Sequence, residues 1–270
     1  MCLYRRRQKY LCTLICFHQS MDFDVKKPTH IFAFIGLLAS FLLFVGSPLI
    51  SLFSSSQIPV IYTQSMTNFQ KLTLEITLLF FQLIFVFLGF IFVPILWYKL
   101  VNKISLKEMF TRLNLRREGL GKAILWGFIT IIIAFVLTMT VGLIYLFLTK
   151  TSPSTVSNIP DLQQLFSIPS LYILVTIQPF CEEFFFRGFL LEKITKISSP
   201  TIAVILTSIF FGISHLSYTY MYTAIIAVAL GILFAIIILK TKNLYTTIFA
   251  HTIINITSLT LYFFGQSIGL

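Results

Sequence analysis

Two adjacent glutamates and an arginine stand in an apolar stretch, Pro179-Phe180-Cys181-Glu182-Glu183-Phe184-Phe185-Phe186-Arg187-Gly188. Ionisable side chains are costly inside a bilayer, so there they are rare and usually functional. Two histidines, His215 and His251, lie in other apolar stretches, and Asn255 follows His251 by four residues. Residues four apart share one face of a helix. Glu183 and Arg187 are so spaced, as are Phe211 and His215, and His251 and Asn255. Glu182 stands about 100° round the helix from Glu183. One carboxylate can therefore face a cavity while the other pairs with Arg187, which needs a partner when buried.

The residue types define the chemistry. A carboxylate and an imidazole in a partly desolvated cavity can activate water. A second imidazole and an amide can donate hydrogen bonds to a developing oxyanion. Base, water and oxyanion donors together make a peptide-bond hydrolase. Cys181 beside Glu182 is not read as a nucleophile, because a thiol in apolar surroundings is inert. The run Phe184 to Phe186 reads as lipid-facing or core packing, and Gly212 and Ser214 as small residues that let helices approach.

The elements that must position these groups are membrane spans. The chain has 270 residues, 57% hydrophobic and 11% charged. Soluble domains carry about 25% charged residues, so this is a multi-pass membrane protein with an all-α bundle fold. Roughly twenty apolar residues cross a bilayer as a helix. Seven stretches, 31–53, 74–98, 123–149, 171–192, 200–217, 220–239 and 244–264, fit or nearly fit that length. No internal repeat is visible. The first stretch is too long for a signal-peptide core and is read as retained.

The net charge of +11 would point to nucleic acid in a soluble protein. Here it follows topology, and no nucleic-acid partner is expected. With the N-terminus in the cytosol, cytosolic segments hold 17 of the 20 Lys and Arg residues, and outside loops hold only Lys71 and Lys150. That asymmetry obeys the positive-inside rule. Within loop 99–122, Leu106, Met109, Phe110 and Leu113 recur at helical spacing among basic residues. This pattern predicts an amphipathic helix on the anionic leaflet. The chain thus divides into a basic tail, 1–30, in which Met21 is a candidate start, a three-span region, 31–170, and a core, 171–264. Cys2, Cys12 and Cys16 of the tail are read as reduced thiols, and His18 and His30 as uninvolved.

Helix geometry gives the depths. At about 1.5 Å per residue, Glu182 lies roughly 18 Å from the cytosolic end of its span, His215 roughly 22 Å, His251 roughly 12 Å and Asn255 roughly 18 Å. Side chains from three helices therefore share one layer near the midplane.

These motifs resemble the CPBP family of intramembrane proteases, also called the CAAX-protease and bacteriocin-processing or Abi family. Glu182, Glu183 and Arg187 form its Glu-Glu-x-x-x-Arg block, followed by Gly188. Phe211 to His215 matches its Phe-x-x-x-His, and His251 to Asn255 its His-x-x-x-Asn. The likeness spans about 171–260, the family's four-helix catalytic core. It implies that Glu182 and His215 activate the attacking water and that His251 and Asn255 hold the oxyanion. Glu183 and Arg187 would pair structurally or orient substrate.

No His-Glu-x-x-His helix is present to set two zinc ligands one turn apart. Glu182, His215 and His251 would suit zinc as a His₂Glu set, but only Glu183 would then remain as a base. The metal-free, glutamate-type reading is favoured, with no cofactor.

The expected function is intramembrane hydrolysis of a peptide or membrane-proximal protein, through a cavity facing the cytosol, in a bacterial plasma membrane. The competing readings are a catalytically idle bacteriocin-immunity or peptide-binding membrane protein, and a proton-coupled transporter.

Overall fold

The computed structural model describes residues 23–51, 66–150, 159–216 and 221–269. The basic tail up to Asp22, with Met21, Cys2, Cys12, Cys16 and His18, lies outside the described residues. All regular structure among the described residues is helical.

Among the described residues nine helices follow in order: α1 Pro28–Ile50, α2 Asn68–Leu100, α3 Leu106–Arg112, α4 Leu120–Thr149, α5 Ile159–Gln163, α6 over 168–197, α7 Pro200–Ile213, α8 Met221–Thr241 and α9 Tyr245–Ser267. Seven of them correspond to the seven apolar stretches. Five (α1, α2, α4, α8 and α9) are long and apolar enough to cross a membrane by length and composition. Helix α6 has the length but carries the charges. Helix α7 has only 14 residues, about 21 Å of rise, and stops at mid-bundle just before His215. The outer helix faces are apolar: Ile132, Val136 and Leu143 of α4 are all well exposed, as contact with lipid requires.

The bundle has two unlike ends. At the basic end, α3 begins with a capping box in which Ser105 and Glu108 satisfy each other's backbone N–H groups. Met109 and Leu113 then plunge into the protein core, while Leu106 and Phe110 stay exposed. The apolar stripe expected to lie on the leaflet is therefore split. Half of it seals the bundle, because the inward face meets the phenylalanines of α6. The Asn243 side-chain amide donates to the Arg116 carbonyl at 3.1 Å, and the Leu244 N–H to that of Asn114 at 2.9 Å. These bonds tie the loop to the α8–α9 turn. His30, expected to be uninvolved, is buried, and its Nδ1 accepts the Asp24 N–H at 2.9 Å.

At the opposite end, polar side chains join α2, α5, α6 and α9. Glu75 accepts the N–H of Ser167 at 2.9 Å and also the Ser167 and Ser170 hydroxyls. It thereby satisfies the start of α6. The Tyr262 hydroxyl donates to Gln163 at 3.1 Å, and Tyr172 bonds Thr260 at 2.8 Å.

Helices α1, α2 and α6 each widen into a π-helical segment: Leu42–Gly46, Leu88–Phe92 and Phe184–Leu190. The three segments meet through tilted ring pairs, Phe44 with Phe90 at 4.3 Å and Phe90 with Phe185 at 5.1 Å. The Ser40 hydroxyl donates to the Gly89 carbonyl at 3.1 Å. Phe184, Phe185 and Phe186 are all buried. Of the two sequence readings, core packing holds and lipid contact does not.

Helices α7 and α8 approach closely, as small residues allow. A Cβ built at Gly212 would stand 2.2 Å from Val228 Cγ2 and 3.1 Å from the Ala224 carbonyl oxygen. Gly212→Val is expected to lower stability by about 1–3 kcal/mol, read as a lower unfolding temperature in detergent. An unchanged temperature would show that α8 gives way freely.

Candidate active site

Helix α6 is shaped for a polar site. Pro179 interrupts it one turn before the glutamates. A proline has no N–H and cannot bond the carbonyl four residues earlier, here that of Val175. The π-helical segment then begins immediately after Glu183. Such segments appear often at functional sites. The carboxylates thus sit between two local departures from α geometry.

A cavity of about 450 Å³ opens beside them, and its polar lining comes from Gln82, Gln178, Glu182, His215, Asn255 and Ser258. The apolar wall includes Phe166, Leu174 and Leu259. Three of the side chains singled out by sequence, Glu182, His215 and Asn255, therefore share one chamber from three elements. Each is held differently. Glu182 accepts from the Gln178 amide at 2.8 Å through Oε1. His215 has its Nδ1 2.8 Å from the Phe211 carbonyl. A carbonyl can only accept, so Nδ1 carries the proton and Nε2 is the nitrogen left for chemistry.

Behind the cavity lies a buried chain of charge. The Arg187 Nη1 donates to Glu183 Oε1 at 2.7 Å, and both side chains are essentially inaccessible. His251 Nδ1 donates to the same oxygen at 3.1 Å. Its Nε2 lies 3.8 Å from Glu182 Oε2. His251 therefore links the two glutamates, and Glu183 orients the ring as a carboxylate orients the histidine of a triad. The guanidinium also lies over the Phe211 ring at 4.1 Å and the Phe234 ring at 5.5 Å. The Phe211 residue thus serves twice: its ring faces Arg187 and its carbonyl holds His215.

The division of labour between the glutamates agrees with their angular offset. Glu182 faces the chamber and Glu183 pairs inward. His251 does not line the chamber with Asn255. Sequence reasoning missed Gln178, Glu75, Gln82 and Ser258. Gln178 could have been found, since it stands one turn before Glu182. The other three depend on which helices pack together. Cys181 is a buried free thiol.

Among the described residues, no group of three or more His, Cys, Asp or Glu side chains is arranged to hold a metal ion.

The cavity does not face the end where the sequence reading put it. Besides the polar layer, it is walled by Ile159, Leu162 and Phe166, which precede α6 at the end remote from the basic loops. Towards the basic end the site is closed by buried Phe186, Phe189, Met109, Leu113 and Leu244. A cytosolic N-terminus and a cytosol-facing cavity cannot both hold. The packing of α3 and α5, which sets the sealed end, is not encoded in local periodicity.

Fold and site together define a polytopic helical membrane protein with a buried carboxylate–imidazole centre beside a polar chamber. Residues 164–257 match the family model described as "Type II CAAX prenyl endopeptidase Rce1-like". The chain is also 29% identical over 147 residues to a protein of Bacillus subtilis (strain 168) named "Putative membrane peptidase YdiL". That alignment covers 53% of this chain and 57% of the relative, so the chain spans little more than half of the relative's length. No solved structure matches. Over the segment that carries the motifs, the chain is thus similar to CAAX-type membrane endopeptidases.

Proposed function

We propose that the chain is an intramembrane endopeptidase whose water is activated by Glu182 together with His215. The observation that carries this reading is the meeting of Glu182, His215 and Asn255 in one chamber. Behind it, His251 is locked by Glu183. Glu182 takes a proton from water as the oxygen attacks the peptide carbonyl carbon. The negative charge that develops on the carbonyl oxygen is met by the Asn255 amide, while His251, held by Glu183, stands behind Glu182. The C–N bond then breaks, and the proton held by Glu182 passes to the leaving amine. Glu183 and Arg187 keep His251 in register and touch no substrate. The substrate is a peptide or membrane-proximal protein segment, and the setting is a bacterial plasma membrane with the N-terminus in the cytosol.

The test is made on purified protein in proteoliposomes, with a library of membrane-proximal peptides and new termini read by mass spectrometry. Wild type should cleave, Glu182→Gln should not, and a chelator should leave cleavage intact. Loss of cleavage in chelator would overturn the metal-free mechanism, and cleavage by Glu182→Gln would overturn the choice of base. His215→Phe keeps a ring beside Phe211, where the two centroids now stand 4.5 Å apart, and removes both nitrogens. It is expected to lower kcat by at least about 100-fold without changing the unfolding temperature. A change confined to KM would reduce His215 to a binding role.

A further inference from the structure

We propose that the chamber takes its peptide from the extracytoplasmic side, and that the peptide segment it admits is neutral or basic rather than acidic. The inference rests on the protease reading but concerns access and charge, which can be measured without catalysis.

Three observations carry it. The first is the closed end. A Cβ at Gly188 would stand 2.9 Å from Leu113 and 3.3 Å from Leu244. Loop 101–119 therefore packs against α6 with no passage between them. Asn243 and Leu244 hold that loop by three hydrogen bonds to its carbonyls. Nothing the size of an extended peptide can pass there without unfolding this seal.

The second observation is the cavity wall. From Glu182 the lining continues through Gln178, Val175, Leu174 and Leu171 towards the start of α6, and ends on Phe166, Leu162 and Ile159. Those residues mark the end remote from the basic loops. Lys and Arg concentrate at the sealed end, at Lys99, Lys103, Lys107, Arg112, Arg116, Arg117, Lys122, Lys240 and Lys242. Basic loops stay in the cytosol. The chamber must then open on the other face of the membrane.

The third observation is charge. Among the described residues, Glu182 is the one ionisable acid lining the chamber, and no Lys or Arg lines it. A free C-terminal carboxylate or an acidic side chain would meet no countercharge in a low-dielectric site, which is expensive. A neutral or basic segment meets Gln82, Gln178, Asn255 and Ser258 as hydrogen-bond partners. The occupant that fits is an internal, apolar-to-basic stretch of a peptide or membrane protein exposed outside the cytosol.

The test labels single cysteines in intact cells. The background carries Cys2, Cys12 and Cys16 as serine and keeps the buried Cys181 as an unreactive control. Ser258→Cys reports on the chamber, Lys71→Cys on the outer face and Lys107→Cys on the basic end. Membrane-impermeant methanethiosulfonates are added, one cationic and one anionic. Lys71→Cys and Ser258→Cys should react in intact cells, and Lys107→Cys only after permeabilisation. The cationic-to-anionic rate ratio at Ser258→Cys should exceed that at Lys71→Cys by about tenfold. Labelling of Ser258→Cys only after permeabilisation, or not at all, would overturn outer access. Labelling of Lys107→Cys in intact cells would overturn the orientation. Equal ratios would overturn the charge preference. A protein that labels as expected but fails to cleave any peptide would sink the protease reading alone.

Discussion

Glu182→Gln will lower peptide hydrolysis by roughly 10²–10⁴-fold, the range lost when a positioned general base is removed. The fold should survive, because the substitution is nearly isosteric. The Gln178 amide, now 2.8 Å from Glu182 Oε1, can donate to the new amide oxygen as it does to the carboxylate. What disappears is the ability to take a proton from water. The measurement is single-turnover cleavage in proteoliposomes, with unfolding temperature measured on the same preparation. A parallel fall in temperature would mean that Glu182 supports the bundle, and the rate could not then be read as chemistry. A full rate in the glutamine variant would move the base to His215, whose Nε2 is not held by the Phe211 carbonyl.

Arg187→Met will have the largest effect on stability. Breaking one side of a buried ion pair costs about 3–5 kcal/mol, because it strands the other charge. Here the stranded group is Glu183, which is fully buried. Arg187 Nη2 has no hydrogen-bond partner among the described residues. The guanidinium is therefore held by one carboxylate and the faces of Phe211 and Phe234. Replacing both members, Glu183→Leu with Arg187→Met, should restore much of the stability, since an apolar pair of similar size can replace a buried ion pair at little net cost. Activity should not return, because His251 Nδ1 loses the oxygen 3.1 Å away that orients it. The readouts are unfolding temperature and kcat, compared across the two single variants and the double. Recovery of both would make the pair purely structural. Recovery of neither would show that the ion pair itself is needed for the bundle to form.

The two effects separate the glutamates. Adjacent in sequence and alike in chemistry, they differ only in which way the helix turns them. Glu182 reaches the chamber and Glu183 reaches Arg187. A turn of about 100° per residue decides it, so this assignment could be made before any tertiary structure was in view.

The same local rules explain what else was legible. An apolar chain with little charge leaves only a membrane bundle as a fold. The i,i+4 pairs follow from helix period, and Glu183–Arg187 and Phe211–His215 do meet, at 2.7 and 2.8 Å. The depth argument, which uses only rise per residue, put Glu182, His215, His251 and Asn255 in one layer; Glu182, His215 and Asn255 line one chamber, and His251 lies behind it. The amphipathic stripe of α3 was also visible, since it too is periodic.

What period and composition leave open is contact between distant segments, and tertiary structure decided those points. It placed His251 between the two glutamates, 68 residues away from Glu183 in sequence. It set Glu75 of α2 at the start of α6 and stacked three π-helical segments into one wall. It also turned Met109 and Leu113 inward, sealing the basic end. The physical reason is common to all of these. Burial is non-directional and rewards whichever apolar surfaces fit together, so a stripe facing lipid and a stripe facing protein carry the same sequence pattern. By itself the sequence determined the solvent, the helices and the polar layer; packing determined which end of the bundle is sealed off from that layer.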